Sequence, residues 1–132
     1  MAMTNFSGYQ AYKKNKYETA SPHKLILMLY DGALTNLHLA ADALDKQDHI
    51  SAHGFLIKSQ EILSELLSCL NTDQGGQIAE NLKQIYLYSI NQLAKANVQK
   101  DRALVDEVEG CISELRSAWA AIGKEVGLGT SI

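Results

Sequence analysis

A single proline, Pro22, stands near the start of the sequence, and the chain from there to Ile132 contains no other. Proline breaks the interior of helices and punctuates the short strands of all-β domains, so its absence leaves long stretches free to be helical. An all-β chain of this length would show many short strands separated by glycine and proline. The feature therefore favours an all-α fold.

Apolar residues recur at alternating steps of three and four in four segments, which is the period of a helix. The recurring residues are Ile26, Tyr30, Ala33, Leu37, Ala40 and Leu44, then Phe55, Ile62, Leu66 and Cys69, then Ile78, Leu82, Ile85, Ser89, Leu93 and Ala96, then Leu104, Val108, Cys111, Leu115, Trp119 and Ile122. The pattern predicts helices over about 22–46, 50–70, 76–98 and 102–125. Short connections between long helices make neighbours antiparallel, so residues 21–125 are predicted to form an up-down-up-down four-helix bundle. Residues 126–132 are predicted to be a flexible tail.

The helix ends carry recognisable signals. Ser21 can accept a hydrogen bond from the first turn of the first helix, and Pro22 at the first helical position loses only an N–H that has no partner. Asp101 is placed to cap the fourth helix in the same way. Asn71 and the pair Gly75–Gly76 are expected to end the second helix.

The first twenty residues form a separate predicted element. Four aromatic residues fall in this short stretch, namely Phe6, Tyr9, Tyr12 and Tyr17. A helix this short is only marginally stable in water by itself. We therefore predict a short, detachable helical cap over residues 1–20 that docks on the bundle.

The start of the first helix has more apolar surface than a bundle core can accept. Leu25, Leu27, Met28 and Leu29 cannot all point inward with their neighbours, because successive residues are about 100° apart around a helix. The N-terminal cap or another chain must cover the surplus. A purely structural cap and a cap that competes with a partner for the same groove both remain open.

Gly32 lies in the middle of the first predicted helix, and Gly110 lies in the middle of the fourth. A glycine inside a helix costs about 1 kcal/mol relative to alanine, and it is tolerated where a neighbour must approach closely. Either the first and fourth helices pack tightly at these positions, or a shallow groove opens there.

Several classes of function are disfavoured by composition and spacing. A net charge of −3 with scattered basic residues does not suit nucleic acid, and no apolar run approaches the ~20 residues that span a bilayer. The sequence lacks the Glu-x-x-His spacing of di-iron bundles, and the pair His49 and His53 lacks a third ligand. We expect a soluble cytoplasmic protein that is not an enzyme, without cofactor, metal site, catalytic residue or direct membrane insertion.

Five short motifs in a fixed order resemble the flagellin-specific export chaperones of the bacterial flagellar type III secretion system, the flagellar secretion chaperone S family. The resemblance covers residues 7–124. The motifs are "SGYQAY" (7–12), "TASPHKLILMLYDGA" (19–33), "GGQIAENL" (75–82), "ANVQKD" (96–101) and "EVEG" (107–110), followed by "AW" at 118–119.

This resemblance implies a bundle capped by its N-terminal segment. It also implies that the chain binds the disordered C-terminal region of flagellin, prevents premature polymerisation and delivers flagellin to the cytoplasmic domain of the export gate. The residues expected to bind flagellin are Leu25, Met28, Leu29, Gly32, Asn97 and Val98. Tyr9 and Tyr12 are expected to dock on the export gate, and Phe6 and Tyr17 to dock the cap on the bundle.

A second class of function stays open at this point. A regulatory or structural bundle that binds another helix, such as an anti-sigma factor or a co-chaperone, would show the same surplus apolar surface. Binding to the C-terminal segment of flagellin is the observation that separates the two.

Overall fold

The computed structural model describes residues 21–126, except for the side chains of residue 72 and of residues 124–126. The described chain forms four helices: α1 (Pro22–Asp45), α2 (His49–Ser68), α3 (Thr72–Gln99) and α4 (Arg102–Val126). The predicted cap and nearly all of the predicted tail lie outside these residues, so the division into cap, bundle and tail stays a prediction.

The helices pack in chain order, each against its two neighbours, and α4 closes the ring against α1. This arrangement confirms the predicted antiparallel four-helix bundle. The starts of α1 and α3 lie with the ends of α2 and α4 at one end of the bundle, which we call the Pro22 end. The opposite end, which holds both short connections before α2 and α4, is called the Asp45 end.

Short polar side chains begin the helices. Ser21 Oγ accepts from the backbone N–H of Lys24 at 3.1 Å, and Asp48 accepts in the same way from Ser51 at 3.2 Å. Asp101 Oδ1 accepts from the N–H of Ala103 at 2.9 Å. Each acceptor satisfies a first-turn N–H that has no partner within its helix. The caps predicted at Ser21 and Asp101 are confirmed.

The expected role of Asn71 is wrong. Its side chain does not end α2 but begins α3, because Asn71 Oδ1 accepts from the N–H of Gln74 at 3.1 Å. The glycine pair lies inside α3, where Gly76 has φ 56° and ψ −133°. Such a backbone conformation suits glycine, so α3 consists of one initial turn and a long run joined at Gly76.

The core lies between all four helices. In α1 the predicted stripe is buried from Tyr30 to Leu44. In the N-terminal half of α3 the buried residues are shifted by one position from the predicted stripe, because Ala79 and Tyr86 are buried while Ile78 is 64% exposed. A 2.5 Å hydrogen bond between the hydroxyls of Tyr30 and Tyr86 crosses the core from α1 to α3. Because both side chains are buried, each hydroxyl needs a hydrogen-bond partner, and each is the partner of the other.

Candidate functional site

The residues expected to bind flagellin on α1 lie on two different sides of that helix. Leu25 and Leu29 are buried, at 2% and 5% exposure, whereas Met28 is only half-buried. A ligand could touch Leu25 or Leu29 only after a local rearrangement of the chain around them. Their role in binding stays a prediction. Met28 is the member of this group that already reaches the surface.

Gly32 faces α2 and not α4. A Cβ at Gly32 would lie 3.4 Å from Ile62 Cδ1, an ordinary van der Waals distance, so this position faces α2 without requiring a glycine. Gly110 differs, because a Cβ there would meet no atom within 4 Å. Neither glycine therefore lies where the first and fourth helices pack tightly, since Gly32 faces α2 and Gly110 borders open space.

Asn97 and Val98 lie near the Asp45 end, far from Met28. Val98 is 85% exposed. Asn97 Nδ2 donates to His53 Nδ1 at 2.8 Å, and Asn97 Oδ1 accepts from Lys100 Nζ at 2.8 Å. The bond to His53 ties the end of α3 to the first turns of α2, whereas the bond from Lys100 lies within the end of α3.

Ile50 belongs to the same end of the bundle and was missed by the sequence analysis. It lies in the first turn of α2, one turn before His53, and is 88% exposed. The hydrogen bond from Asn97 to His53 brings the turn that carries Ile50 near the end of α3. The periodicity of α2 would have found it, since Ile50 falls outside the buried stripe.

A second missed feature is a clasp between His23 and Trp119 at the Pro22 end. The His23 and Trp119 rings stack with centroids 4.9 Å apart. His23 Nε2–H donates to the Trp119 carbonyl at 2.7 Å, and Trp119 Nε1–H donates to the His23 carbonyl at 2.9 Å. A Cβ at Gly123 would overlap the His23 ring, so the clasp depends on that glycine. The clasp fixes the first turn of α1 against α4.

The electrostatics of the surface are mild. On the α3–α4 side, Tyr88 Oη and Gln92 Nε2 both donate to Glu107, at 2.9 and 2.8 Å. These hydrogen bonds lower the pKa of Glu107 below its ordinary value, and the bond from Gln92 has the larger effect.

Among the described residues, no three His, Cys, Asp or Glu side chains are grouped as metal ligands would be. Within residues 21–126 we find no helix that combines the length and apolarity needed to cross a membrane.

Tyr9, Tyr12, Phe6 and Tyr17 lie outside the described residues, so their expected docking roles stay predictions. The structure brings together Asn97 with Val98, and it separates that pair from Met28 and Gly32 by most of the bundle length. With 24 residues, α1 is about 36 Å long.

Comparison with known proteins gives one consistent result. The family model described as "Flagellar protein FliS" matches residues 3–126. The chain is 39% identical over 121 residues to the flagellar secretion chaperone FliS of Vibrio cholerae, covering 88% of each chain. It is 38% identical over 125 residues to that of Salmonella typhimurium, covering 91% of this chain and 93% of the relative.

The fold also has a counterpart among solved structures. A crystal structure of a flagellar chaperone from bacteria matches with a TM-score of 0.73 at 20% sequence identity. The match covers 92% of this chain and 99% of that chain. At this level of identity the likeness concerns the fold.

Proposed function

Because the chain belongs to the FliS family of flagellar secretion chaperones, which are not enzymes, we propose that it binds the disordered C-terminal region of flagellin. In this proposal the chain works in the cytoplasm, keeps flagellin from polymerising prematurely and delivers it to the flagellar export gate. The anti-sigma factor and co-chaperone alternative has no support among the relatives described above.

The observation that carries the proposal is the apolar surface that the bundle leaves open at both of its ends. Val98 and Ile50 are almost fully exposed at the Asp45 end, and Met28 reaches the surface near the Pro22 end. Single exposed apolar residues are common on any protein. Here they coincide with positions that the family resemblance independently assigns to flagellin binding, namely Met28 and Val98.

The separation of these positions favours an extended client. A bound segment that reaches from Met28 to Val98 must follow most of the ~36 Å bundle. An extended chain advances about 3.3 Å per residue, so about ten residues suffice for this distance. A disordered segment can wrap such a surface because it orders only on binding.

The test is a calorimetric titration with a peptide of the C-terminal forty or so residues of flagellin. We expect one-to-one binding by the wild-type chain. Met28→Asp and Val98→Asp should each weaken it by about 2 kcal/mol or more, as substitutions at interface hot spots do. Ala103→Asp, an exposed change at the Asp45 end on α4, serves as the control and should bind normally.

Two outcomes would contradict the proposal. One is the absence of binding by the wild-type chain under conditions in which it is folded. The other is equal affinity of all three variants, which would move the binding site away from the residues named here. Thermal unfolding of each variant checks that lost binding does not reflect lost structure.

For delivery, we propose that Tyr9 and Tyr12 dock on the cytoplasmic domain of the export gate after flagellin binds. The two residues lie three apart, so they share one face if this stretch is helical. Replacing both by alanine should abolish binding of the chaperone–flagellin complex to the gate domain while flagellin binding is retained. Equally tight gate binding by the free and loaded wild-type chaperone would exclude the proposed coupling.

A further inference from the structure

A groove of about 640 Å³ runs between α1 and α4, and none of the functions assigned above uses it. Leu34 and Leu39 supply its apolar lining from α1, and Asp106 and Glu109 supply carboxylates from α4. Gly110 leaves its wall open, since a Cβ there would meet no atom within 4 Å. The groove therefore combines an apolar surface, an acidic rim and space for a side chain.

A regular series of ion pairs crosses from α1 to α4 along this side. Asp31 pairs with Arg116, His38 with Glu109, and Asp45 with Arg102. The residues advance by seven on each helix, so the three pairs form a ladder of equal steps. Both outer pairs use arginine, whose charge is permanent, whereas the middle pair at the groove uses histidine.

The histidine of the middle pair is the most exposed of the three basic partners. The side chain of His38 is 81% exposed, and its Nδ1 lies 2.7 Å from Glu109 Oε2. An imidazole is a weaker partner for a carboxylate than a guanidinium or an ammonium, which carry a full charge at neutral pH. A cation arriving from outside can therefore take the place of His38 beside Glu109.

From this arrangement we propose that the groove is a subsite for a lysine or arginine side chain of the bound flagellin segment. The aliphatic stem packs on Leu34 and Leu39, as long basic side chains commonly do on apolar surface, and the charged head pairs with Glu109. Asp106, which itself pairs with Arg102 at 3.4 Å, adds negative charge beside it. Flagellin is the occupant because Met28, Thr35 and Leu39 follow one another by steps of seven and four on the outward row of α1. The inference rests on the proposed function, since a segment bound over Met28 continues along that row into the groove.

Blocking the groove is the first test. Gly110→Leu fills the open space, and Gln84→Leu is its control, because Gln84 is an exposed residue of α3 one turn before Tyr88, away from the proposed flagellin contacts. In calorimetric titrations with the flagellin C-terminal peptide, Gly110→Leu should lower the affinity at least tenfold and Gln84→Leu less than twofold. Unchanged affinity of Gly110→Leu would overturn the subsite and leave the proposed function standing, while no binding by the wild-type chain would refute both.

The charge test uses Glu109→Gln with Glu114→Gln, an exposed acid on the same helix outside the groove, as control. Glu109→Gln should lower the affinity about two- to fivefold, the effect of an exposed ion pair, and reduce its dependence on salt. Replacing each peptide lysine or arginine by glutamine should identify one position whose effect vanishes in the Glu109→Gln chain. If every peptide substitution acts equally on both chains, no basic side chain occupies the groove.

Discussion

Two helices that run in the same direction, α1 and α3, differ in how firmly they are built into the bundle. α1 is buried along almost its whole length, at residues that include Ala33, Leu37 and Ala40. α3 is the longer helix, but its buried residues are Ala79, Tyr86, Ser89, Leu93 and Ala96. It exposes Ile78, Leu87, Tyr88 and Val98.

The difference lies in how many side chains each helix buries. α1 buries ten, among them Leu25, Leu29 and Leu37, and it packs against α2 and α4. α3 has five buried residues among those whose side chains are described, and a break in its first turn at Gly76. α3 therefore contributes exposed apolar side chains that a partner can reach.

The largest expected effect is that of Leu37→Ala in α1. Leu37 is fully buried in the core, so its truncation should lower the free energy of unfolding by about 3–5 kcal/mol. Ile78→Ala in α3 should cost less than about 1 kcal/mol, because Ile78 is mostly exposed. Denaturant unfolding measures both, and a cost at Ile78 equal to that at Leu37 would erase the contrast between the two helices.

A smaller effect is expected where the two helices meet. Tyr86→Phe leaves the buried Tyr30 hydroxyl without its partner in α3, and this should cost about 1–3 kcal/mol. Tyr30→Phe together with Tyr86→Phe removes both hydroxyls and should recover part of the loss. A double variant less stable than either single one would show that the hydroxyl pair does not link α1 and α3 as described.

The break in α3 offers a third test. Gly76→Ala places a Cβ at a positive φ of 56° and should cost about 1–2 kcal/mol. Gly54→Ala in the regular part of α2 should instead stabilise the fold by about 0.5–1 kcal/mol, because alanine is the better helix former. Thermal melts of the two variants would contradict the account if they shifted in the same direction.

The smallest effect concerns pH on the exposed side of α3. Hydrogen bonds from Gln92 and Tyr88 lower the pKa of Glu107 in the folded chain. The stability that these hydrogen bonds add is fully present above the pKa that Glu107 has in the unfolded chain. It is lost as the pH falls through the lower pKa that Glu107 has in the folded chain. Tyr88→Phe should therefore be slightly less stable than wild type at neutral pH and equal to it in strong acid. A difference that grows toward low pH would have the wrong sign.

Local signals made much of α1 predictable. Ser21, Pro22 and the apolar stripe of α1 act within a few residues of each other, and the structure has them as expected. The predicted stripe of α3 differs from the observed one at Tyr86, which is buried and hydrogen-bonds to the Tyr30 hydroxyl of α1. A pattern within α3 alone contains no information about this partner. Asn71 was misplaced for a related reason, since an asparagine beside two glycines can end one helix or begin the next.

The surface was harder to predict than the core. An excess of apolar residues at the start of α1 indicated that some of them reach the surface, but only packing decides that Met28 is half-buried and Leu25 is buried. The groove beside Gly110 and the ladder of ion pairs join residues of α1 and α4 that lie far apart in sequence. Their spacing of seven is visible once the register of the two helices is known.

Hydrogen exchange of the chaperone with and without the flagellin C-terminal peptide tests the central claim most directly. The claim is that one extended client contacts both ends of the bundle, near Met28 on α1 and near Val98 on α3. The account predicts one-to-one binding with slowed exchange in both regions in the same complex, and little change on the α3–α4 side around Glu107. Protection confined to one end of the bundle, or no protection at saturating peptide, would contradict it.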